Sequence, residues 1–316
     1  MKILLTETAT LIRDGDLSLD VFKGFGDVTE YENISLSELK KEVSDTDIIL
    51  CNKTLITKEI MDLAPRLKYI GTFATGYNNI DVEYASKKGI TVCNAAGYST
   101  NAVTAQVMGY ILMHYTKIAE YNEFVKSGGW KQSKIFSPIA FSADEVCGKK
   151  LGIVGYGSIG KSVRRAARAL GMKVIVNTRT VTEDGETSFV GLDELLEKSD
   201  VVTMHCPLNE QSRGMMNKDT FAKMKKGAFF INTSRGGVVV EEDLRAALES
   251  GHLSGAAVDV LNTEPMTEDN ILFGAPNLII TPHSAWSPYT TRKRLIAQVA
   301  DNLESFLKGK PKNKVN

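Results

Sequence analysis

Residues 149–178, KKLGIVGYGSIGKSVRRAARALGMKVIVNT, decide the fold. The apolar run LGIV leads into Gly155-Tyr156-Gly157-Ser158-Ile159-Gly160, a helix-forming stretch follows, and Gly171 separates it from a second apolar run, KVIVN. Strand, glycine turn, helix and strand in that order make a βαβ unit. Gly155 allows the tight turn, Gly157 lets a pyrophosphate approach the main chain, and Gly160 lets the helix pack closely on the strand. The free N–H groups at the start of the helix then face the phosphates. A dinucleotide site is expected here.

Working outward, apolar runs continue at 201–207 (VVTMHCP), 228–234 (AFFINTS), 255–261 (GAAVDVL) and 278–283 (LIITPH). An earlier series holds KILLT at the start, DIILCN (47–52), LKYIGTF (67–73) and ITVCNA (90–95), separated by helix-compatible stretches such as LSELKKEVSD. Strands alternating with helices imply parallel sheets covered on both faces, so two α/β units in tandem are expected. The stretch 101–128 between them carries apolar residues at helical spacing and reads as one long helix. Beyond Pro288 another helix is expected, with Leu295, Val299, Leu303 and Phe306 on one face and Gly309 with Pro311 as its stop. The final GKPKNKVN reads as disordered.

Composition bounds the function. At 316 residues, 43% hydrophobic and 24% charged, the chain has the make-up of a globular protein of about two domains. Its 38 lysines and arginines equal its 38 aspartates and glutamates, so no net field draws nucleic acid or an anionic membrane. Four scattered cysteines form no CxxC pair, and neither a metal site nor a disulfide framework is expected. The first apolar run is too short for a signal-peptide core, and no window reaches the roughly 20 apolar residues of a membrane span. A cytoplasmic location is the expectation.

The end of the second strand bears on the choice of dinucleotide. An NAD-preferring site places Asp or Glu there to bind the ribose 2′-hydroxyl. Here stand Thr178 and Arg179, which repel no 2′-phosphate and can bind one, so NADP(H) is favoured and NAD(H) is the alternative.

Three residues beyond strand ends form a candidate reaction centre. Arg235 follows AFFINTS, Glu264 lies in the turn after GAAVDVL, and His283 closes LIITPH. Ligands of open α/β sheets bind outside the carboxyl ends of the strands. Arginine is a charged fork for a carboxylate, histidine titrates near neutrality, and an adjacent glutamate orients it. Hydride transfer to or from a 2-oxo or 2-hydroxy acid fits that set. The neighbours His205 and Cys206 do not read as a thiol–imidazole pair, because successive strand residues point to opposite faces.

The segments ATGYNNID (74–81), HCPLNEQSRG (205–214), INTSRGGVVVEEDL (231–244), AAVDVLNTEP (256–265) and TPHSAW (281–286), together with the glycine loop, resemble the D-isomer-specific 2-hydroxyacid dehydrogenases along nearly the whole chain. GYST (97–100) and the region after TPHSAW look most like the glycerate dehydrogenase, or hydroxypyruvate (glyoxylate) reductase, branch. The resemblance implies a Rossmann cofactor domain, residues 101–287, inserted into a flavodoxin-like substrate domain made of residues 1–100 and 288–316. It implies that Arg235 binds the substrate carboxylate and carbonyl, that His283 is the acid/base, and that Glu264 supports it. Main-chain amides at Thr75, Gly76 and Tyr77 would hold the carboxylate, and Trp286 would wall the pocket or serve as a core aromatic. Asp259 would face the nicotinamide carboxamide, while Cys206, Pro207, Ser212, Thr233 and Ser234 would line the cofactor groove. The family's Val-Ala-Glu or Val-Ala-Gln triplet is replaced here by Val103-Thr104-Ala105 before Gln106, which leaves its usual contact unassigned.

The activity so implied is reversible NAD(P)H-dependent reduction of hydroxypyruvate or glyoxylate to D-glycerate or glycolate. The alternatives are an NAD-linked D-lactate dehydrogenase or a related D-2-hydroxyacid enzyme, and a non-catalytic dinucleotide-sensing corepressor. A phosphorylated substrate would need a basic cluster in the first unit, and none is evident in residues 50–80. The helix 101–128 with its extension KSGGWKQSKIF offers a homodimer surface.

Overall fold

The computed structural model describes residues 1–181, 185 and 187–316, which pack as two compact units, Met1–Ser99 with Trp286–Asn316, and Thr100–Ala285.

In the first unit, strands β1 (Lys2–Leu5), β2 (Asp27–Glu30), β3 (Ile48–Cys51), β4 (Tyr69–Thr72) and β5 (Thr91–Cys93) form a parallel sheet in the order β2-β1-β3-β4-β5. That is the flavodoxin-like order. Helices α1 (Leu36–Glu42), α2 (Lys58–Asp62) and α3 (Val82–Lys87) connect the strands, and α1 starts at a capping box in which Ser35 and Glu38 satisfy each other's amides. β1, β3 and β4 are apolar because they are covered on both faces. β2 reads DVTE and lies at the sheet edge, largely exposed, so it carries none of the apolar signal that marks the others.

In the second unit the helix expected over 101–128 is two helices, α4 (Thr100–Thr116) and α5 (Ile118–Lys126). Lys117 between them takes the left-handed conformation, φ +55°, which ends the α4 ladder and redirects the chain. The strands β6 (Lys150–Val154), β7 (Lys173–Asn177), β8 (Ser188–Phe189), β9 (Val201–Met204), β10 (Ala228–Asn232), β11 (Leu253–Val258) and β12 (Leu278–Ile280) are parallel, in the order β12-β11-β10-β9-β6-β7-β8. Counting from β6, the strand order is 3-2-1-4-5-6 with one strand added, the doubly wound dinucleotide-binding topology. Its other helices are α6 (Ser158–Ala169), α7 (Leu192–Lys198), α8 (Lys218–Lys223) and α9 (Glu241–Glu249). One face of the sheet packs on α4 and α6 through Val107, Ile111, Val163 and Ala167. The other packs on α7, α8 and α9 through Leu195, Leu196, Phe221 and Leu244.

The chain returns to the first unit as α10 (Tyr289–Leu307), whose Leu295, Val299 and Leu303 are buried against Ile3, Leu50 and Tyr69. Each such leucine contributes about 2 kcal/mol by burial. Arg292, buried at the start of α10, donates to Asp16 and to the Leu11 carbonyl, and the guanidinium holds the Asp16 carboxyl down at about pKa 2. The tail expected to be disordered is ordered. Val315 N–H donates to Val92 O at 2.9 Å, the Asn316 side chain bonds Val92 N–H and Ile90 O, and Lys314 bridges Cys93. β5 is an edge strand with unpaired main-chain groups, and the tail covers them. A polar tail without an apolar pattern gives no sign of this in sequence, because main-chain bonds carry it.

Candidate active site

The glycine loop joins β6 to α6 as its spacing requires. Gly155 has φ +97°, and a Cβ there would lie 2.6 Å from the Cys206 amide nitrogen. A Cβ on Gly160 would lie 2.3 Å from the Gly155 carbonyl oxygen. Gly157 differs, because nothing among the described residues lies within 4 Å of its would-be Cβ. It is the N-cap of α6, with no side-chain cap and no acidic residue in the first turn. The helix thus presents free N–H groups to open space, as a phosphate-binding turn must. Tyr156 packs edge-on against Phe189, with Ile159 against the core beneath. Ser158 is exposed at the first turn of α6.

Beyond β7, Thr178 is half-buried and Arg179 exposed, and residues 177–181 hold no carboxylate. Beyond β9, burial raises the Cys206 thiol pKa, so it remains a protonated, unreactive group. Ser212 is buried and donates to the Pro207 carbonyl at 2.6 Å, which folds residues 207–212 into a compact turn and leaves Pro207 exposed. Among the described residues, Thr233 Oγ1 and His205 Nδ1 are buried without a partner. They follow neighbouring strands at matched register, Met204 opposite Asn232. Unpaired buried polar atoms are costly, and here they line the carboxyl edge of the sheet beside the glycine loop, where a bound dinucleotide can satisfy them. The residues present therefore fit a dinucleotide.

Arg235, Glu264 and His283 follow the adjacent strands β10, β11 and β12. His283 Nδ1 lies 2.7 Å from Glu264 Oε2, with both side chains partly exposed. The other Glu264 oxygen accepts the Leu261 N–H at 3.0 Å, which fixes the carboxylate. Arg235 is half-buried and donates to the Ser234 carbonyl at 2.7 Å. Its turn is held by Asn232, fully buried at the end of an otherwise apolar strand: the Asn232 amide donates to Arg235 O and accepts from Ser234 N–H and Oγ–H. Gly236 ties this turn to the next. A Cβ there would lie 1.9 Å from the Leu261 carbonyl carbon, so only glycine lets the Arg235 turn close against the segment that carries Glu264. Buried Glu241 holds that segment from below, accepting from Asn262 N–H and the Asn270 side chain. Asn232 and Glu241 escaped the reading of the sequence, although a polar residue closing an apolar strand is a visible signal. Gln106, the residue left without a contact, donates to Tyr110 Oη at 2.9 Å.

Asp259, just past β11, is 2% exposed. Its carboxylate accepts from Thr281 Oγ1, Ser284 N–H and Ala285 N–H, and burial raises its pKa against those donors. In the first unit, Thr75, Gly76 and Tyr77 follow β4. Thr75 donates to Ala95 O, its own carbonyl accepts from Asn94, and Tyr77 is exposed. Trp286 is half-buried in the first unit's core, edge-on to Tyr98 at 6.3 Å.

A doubly wound cofactor sheet with a histidine–carboxylate pair and an arginine at adjacent strand ends is the arrangement of a nicotinamide-dependent dehydrogenase. The sequence pattern described as D-isomer specific 2-hydroxyacid dehydrogenase, NAD binding domain, matches residues 108–285. The chain belongs to the D-isomer-specific 2-hydroxyacid dehydrogenases and is an oxidoreductase. It is 39% identical to a hydroxypyruvate reductase of Blautia hydrogenotrophica, with 100% of each chain covered. It is 38% identical to a glycerate dehydrogenase of Methylorubrum extorquens over 90% of this chain and 91% of that protein. Among solved structures, it resembles an NADPH-dependent glyoxylate/hydroxypyruvate reductase from Sinorhizobium meliloti, determined with NADP and malonate (TM-score 0.86, 25% identity, 99% and 96% coverage).

Proposed function

We propose that this enzyme reduces a short 2-oxo acid, hydroxypyruvate or glyoxylate, to D-glycerate or glycolate, reversibly and with NADPH preferred to NADH. The observation that carries the reading is the 2.7 Å contact between His283 and Glu264, beyond the strands β12 and β11, which with the Arg235 strand β10 are consecutive in the sheet that carries the dinucleotide turn. The relatives named above act on the same acids by their names.

When bound, the nicotinamide supplies the hydride that reaches C2. Glu264 accepts a hydrogen bond from Nδ1–H of His283, which leaves Nε2 as the nitrogen turned to substrate. As hydride adds to C2, the π pair of the carbonyl moves onto oxygen, and Nε2–H of protonated His283 donates to that oxygen. Arg235 binds the substrate carboxylate and polarises the carbonyl, which lowers the cost of the developing negative charge. In the oxidative direction neutral His283 takes the hydroxyl proton back. Thr178 and Arg179 favour NADPH because neither repels a 2′-phosphate and the guanidinium attracts one.

We assign homodimer formation to the apolar side chains displayed on α5 and beyond it, where Ile118, Trp130, Ile135, Phe136 and Ile139 are all exposed. A Phe136→Asp variant should elute as a monomer in light-scattering chromatography, and an unchanged elution mass rejects that surface. For the activity, loss of NADPH absorbance at 340 nm is followed with hydroxypyruvate, glyoxylate and pyruvate. Turnover with the first two that disappears in His283→Ala, with NADPH affinity retained, is the expected result. Fastest turnover with pyruvate and NADH would favour a D-lactate enzyme, and no turnover with any acid would reject catalysis.

A further inference from the structure

Behind the site, on the α4 side of the sheet, a line of polar groups, half-buried at Gln106 and Thr281 and buried at Tyr110 and Asp259, runs from the helix to the catalytic turn. Gln106 Nε2 lies 2.9 Å from Tyr110 Oη, Tyr110 Oη lies 2.5 Å from Thr281 Oγ1, and Thr281 Oγ1 lies 2.5 Å from Asp259 Oδ1. The direction of every bond follows from its far end. Two of the partners of Asp259 are main-chain N–H groups, which can only donate, so the carboxylate acts as an acceptor throughout. The Thr281 hydroxyl proton therefore goes to Asp259, the Tyr110 proton goes to Thr281, and the Gln106 amide donates to Tyr110. Aligned bonds of this kind polarise one another in a buried setting.

Asp259 in turn holds three consecutive amides of the catalytic turn. Its main-chain oxygen accepts His283 N–H at 2.8 Å, and its carboxylate accepts Ser284 N–H at 2.8 Å and Ala285 N–H at 3.0 Å. His283 needs this support, because its φ of +50° is uncommon for any residue with a side chain. Such a conformation persists only where the surroundings over-determine it. The Asp259 rotamer that meets these amides is also the one that accepts from Thr281 Oγ1.

We propose that Tyr110, backed by Gln106, is a positioning residue of the reaction, which acts through Thr281 and Asp259 to keep His283 in its left-handed turn. The proposal rests on the reading of His283 as the acid/base. Tyr110 touches none of the reacting groups. It is 2% exposed, and its phenol is committed to the chain rather than to solvent. Without that hydroxyl, Thr281 loses its donor and its own hydroxyl is free to turn from Asp259.

The test compares wild type with Tyr110→Phe, Gln106→Leu, Thr281→Val, Thr281→Ser and the Tyr110→Phe/Thr281→Val double variant. Tyr110→Phe should lower kcat about tenfold, in line with the sensitivity of proton transfer to misplacement. KM for hydroxypyruvate and the Kd for NADPH by fluorescence should change less than twofold. Thr281→Ser keeps the hydroxyl and should stay within threefold of wild type, and the double variant should be no slower than Thr281→Val, because the two groups act in series. A second readout needs no turnover: the ring resonance of His283, assigned by its loss in His283→Ala, should shift or broaden in Tyr110→Phe. A Tyr110→Phe enzyme within twofold of wild-type kcat with an unmoved His283 resonance overturns the proposal. So does an equal loss in kcat and cofactor affinity that Thr281→Ser fails to restore, which would mark simple loosening. Should wild type turn over no 2-oxo acid, the proposed activity fails, and the His283 resonance alone decides on the brace. Should Thr281→Val fail to fold, Tyr110→Phe and Gln106→Leu decide.

Discussion

His283 and Glu264 meet at 2.7 Å through Nδ1 and Oε2, although they lie on the loops after different strands. Each is held from behind, the glutamate by the Leu261 amide and the histidine amide by Asp259 O. Substitution of Glu264 by Gln keeps a hydrogen-bond acceptor for His283 Nδ1 but removes the negative charge. We expect kcat to fall by about 10- to 100-fold with the substrate KM little changed, since the loss falls on proton transfer. Steady-state kinetics with hydroxypyruvate provide the check, and a variant as fast as wild type would separate Glu264 from the reaction.

Gly236 leaves no room for a side chain. A Cβ 1.9 Å from the Leu261 carbonyl carbon meets backbone, which cannot swing aside as a flexible side chain does. Gly236→Ala should therefore cost about 3 kcal/mol of stability or more, or separate the Arg235 and Glu264 turns. Urea denaturation together with kcat of the folded fraction distinguishes the two, and wild-type values in both would contradict the close approach.

Cofactor choice is tested at the end of β7. Thr178→Asp places a negative charge where the adenine ribose would bind, and the ratio of kcat/KM for NADPH over NADH should drop about tenfold or more by repulsion of the 2′-phosphate. An unchanged ratio would mean that the phosphate is bound elsewhere.

Acid sensitivity should come in part from buried histidines. His114 stacks on Phe229 at 4.0 Å and pairs with Ser254, and burial lowers its pKa from 6.5 to about 4. His205 is lowered to about 3 by the same cause. Between about pH 6.5 and 4 the unfolded chain then binds more protons at His114 than the folded protein, so stability rises with pH through that window and is lost as the pH falls. Integrated over those two values, the His114 share is at most about 2 kcal/mol between pH 7 and 5, reduced by solvent screening of its partly exposed ring. Urea midpoints of wild type and His114→Gln at the two pH values should show a shallower dependence in the variant, and equal slopes would count against a neutral buried imidazole.

Much of the architecture was legible in the sequence. The apolar runs from KILLT to LIITPH contain ten of the strands, because strands buried on both faces must be apolar along their length. β2 was invisible, since DVTE at an exposed edge has no apolar pattern. The break at Lys117 was invisible too, because the residues around it remain good helix formers and only the left-handed φ interrupts them.

The site divides in the same way. The positions of the glycine loop, Arg235, Glu264 and His283 beyond strand ends followed from local sequence, because strand ends and turns are local properties. Their support did not. Asn232 under Arg235, Glu241 under Asn262, and Gln106 with Tyr110 behind Thr281 join residues far apart in the chain, and no spacing rule records a hydrogen bond between Tyr110 on α4 and Thr281 beyond β12. The sequence alone determined the sheets and where the candidate site residues emerge, through periodic burial and glycine conformation. Tertiary structure alone decided which buried polar groups hold those side chains in place, because such partners are chosen by proximity in the folded core.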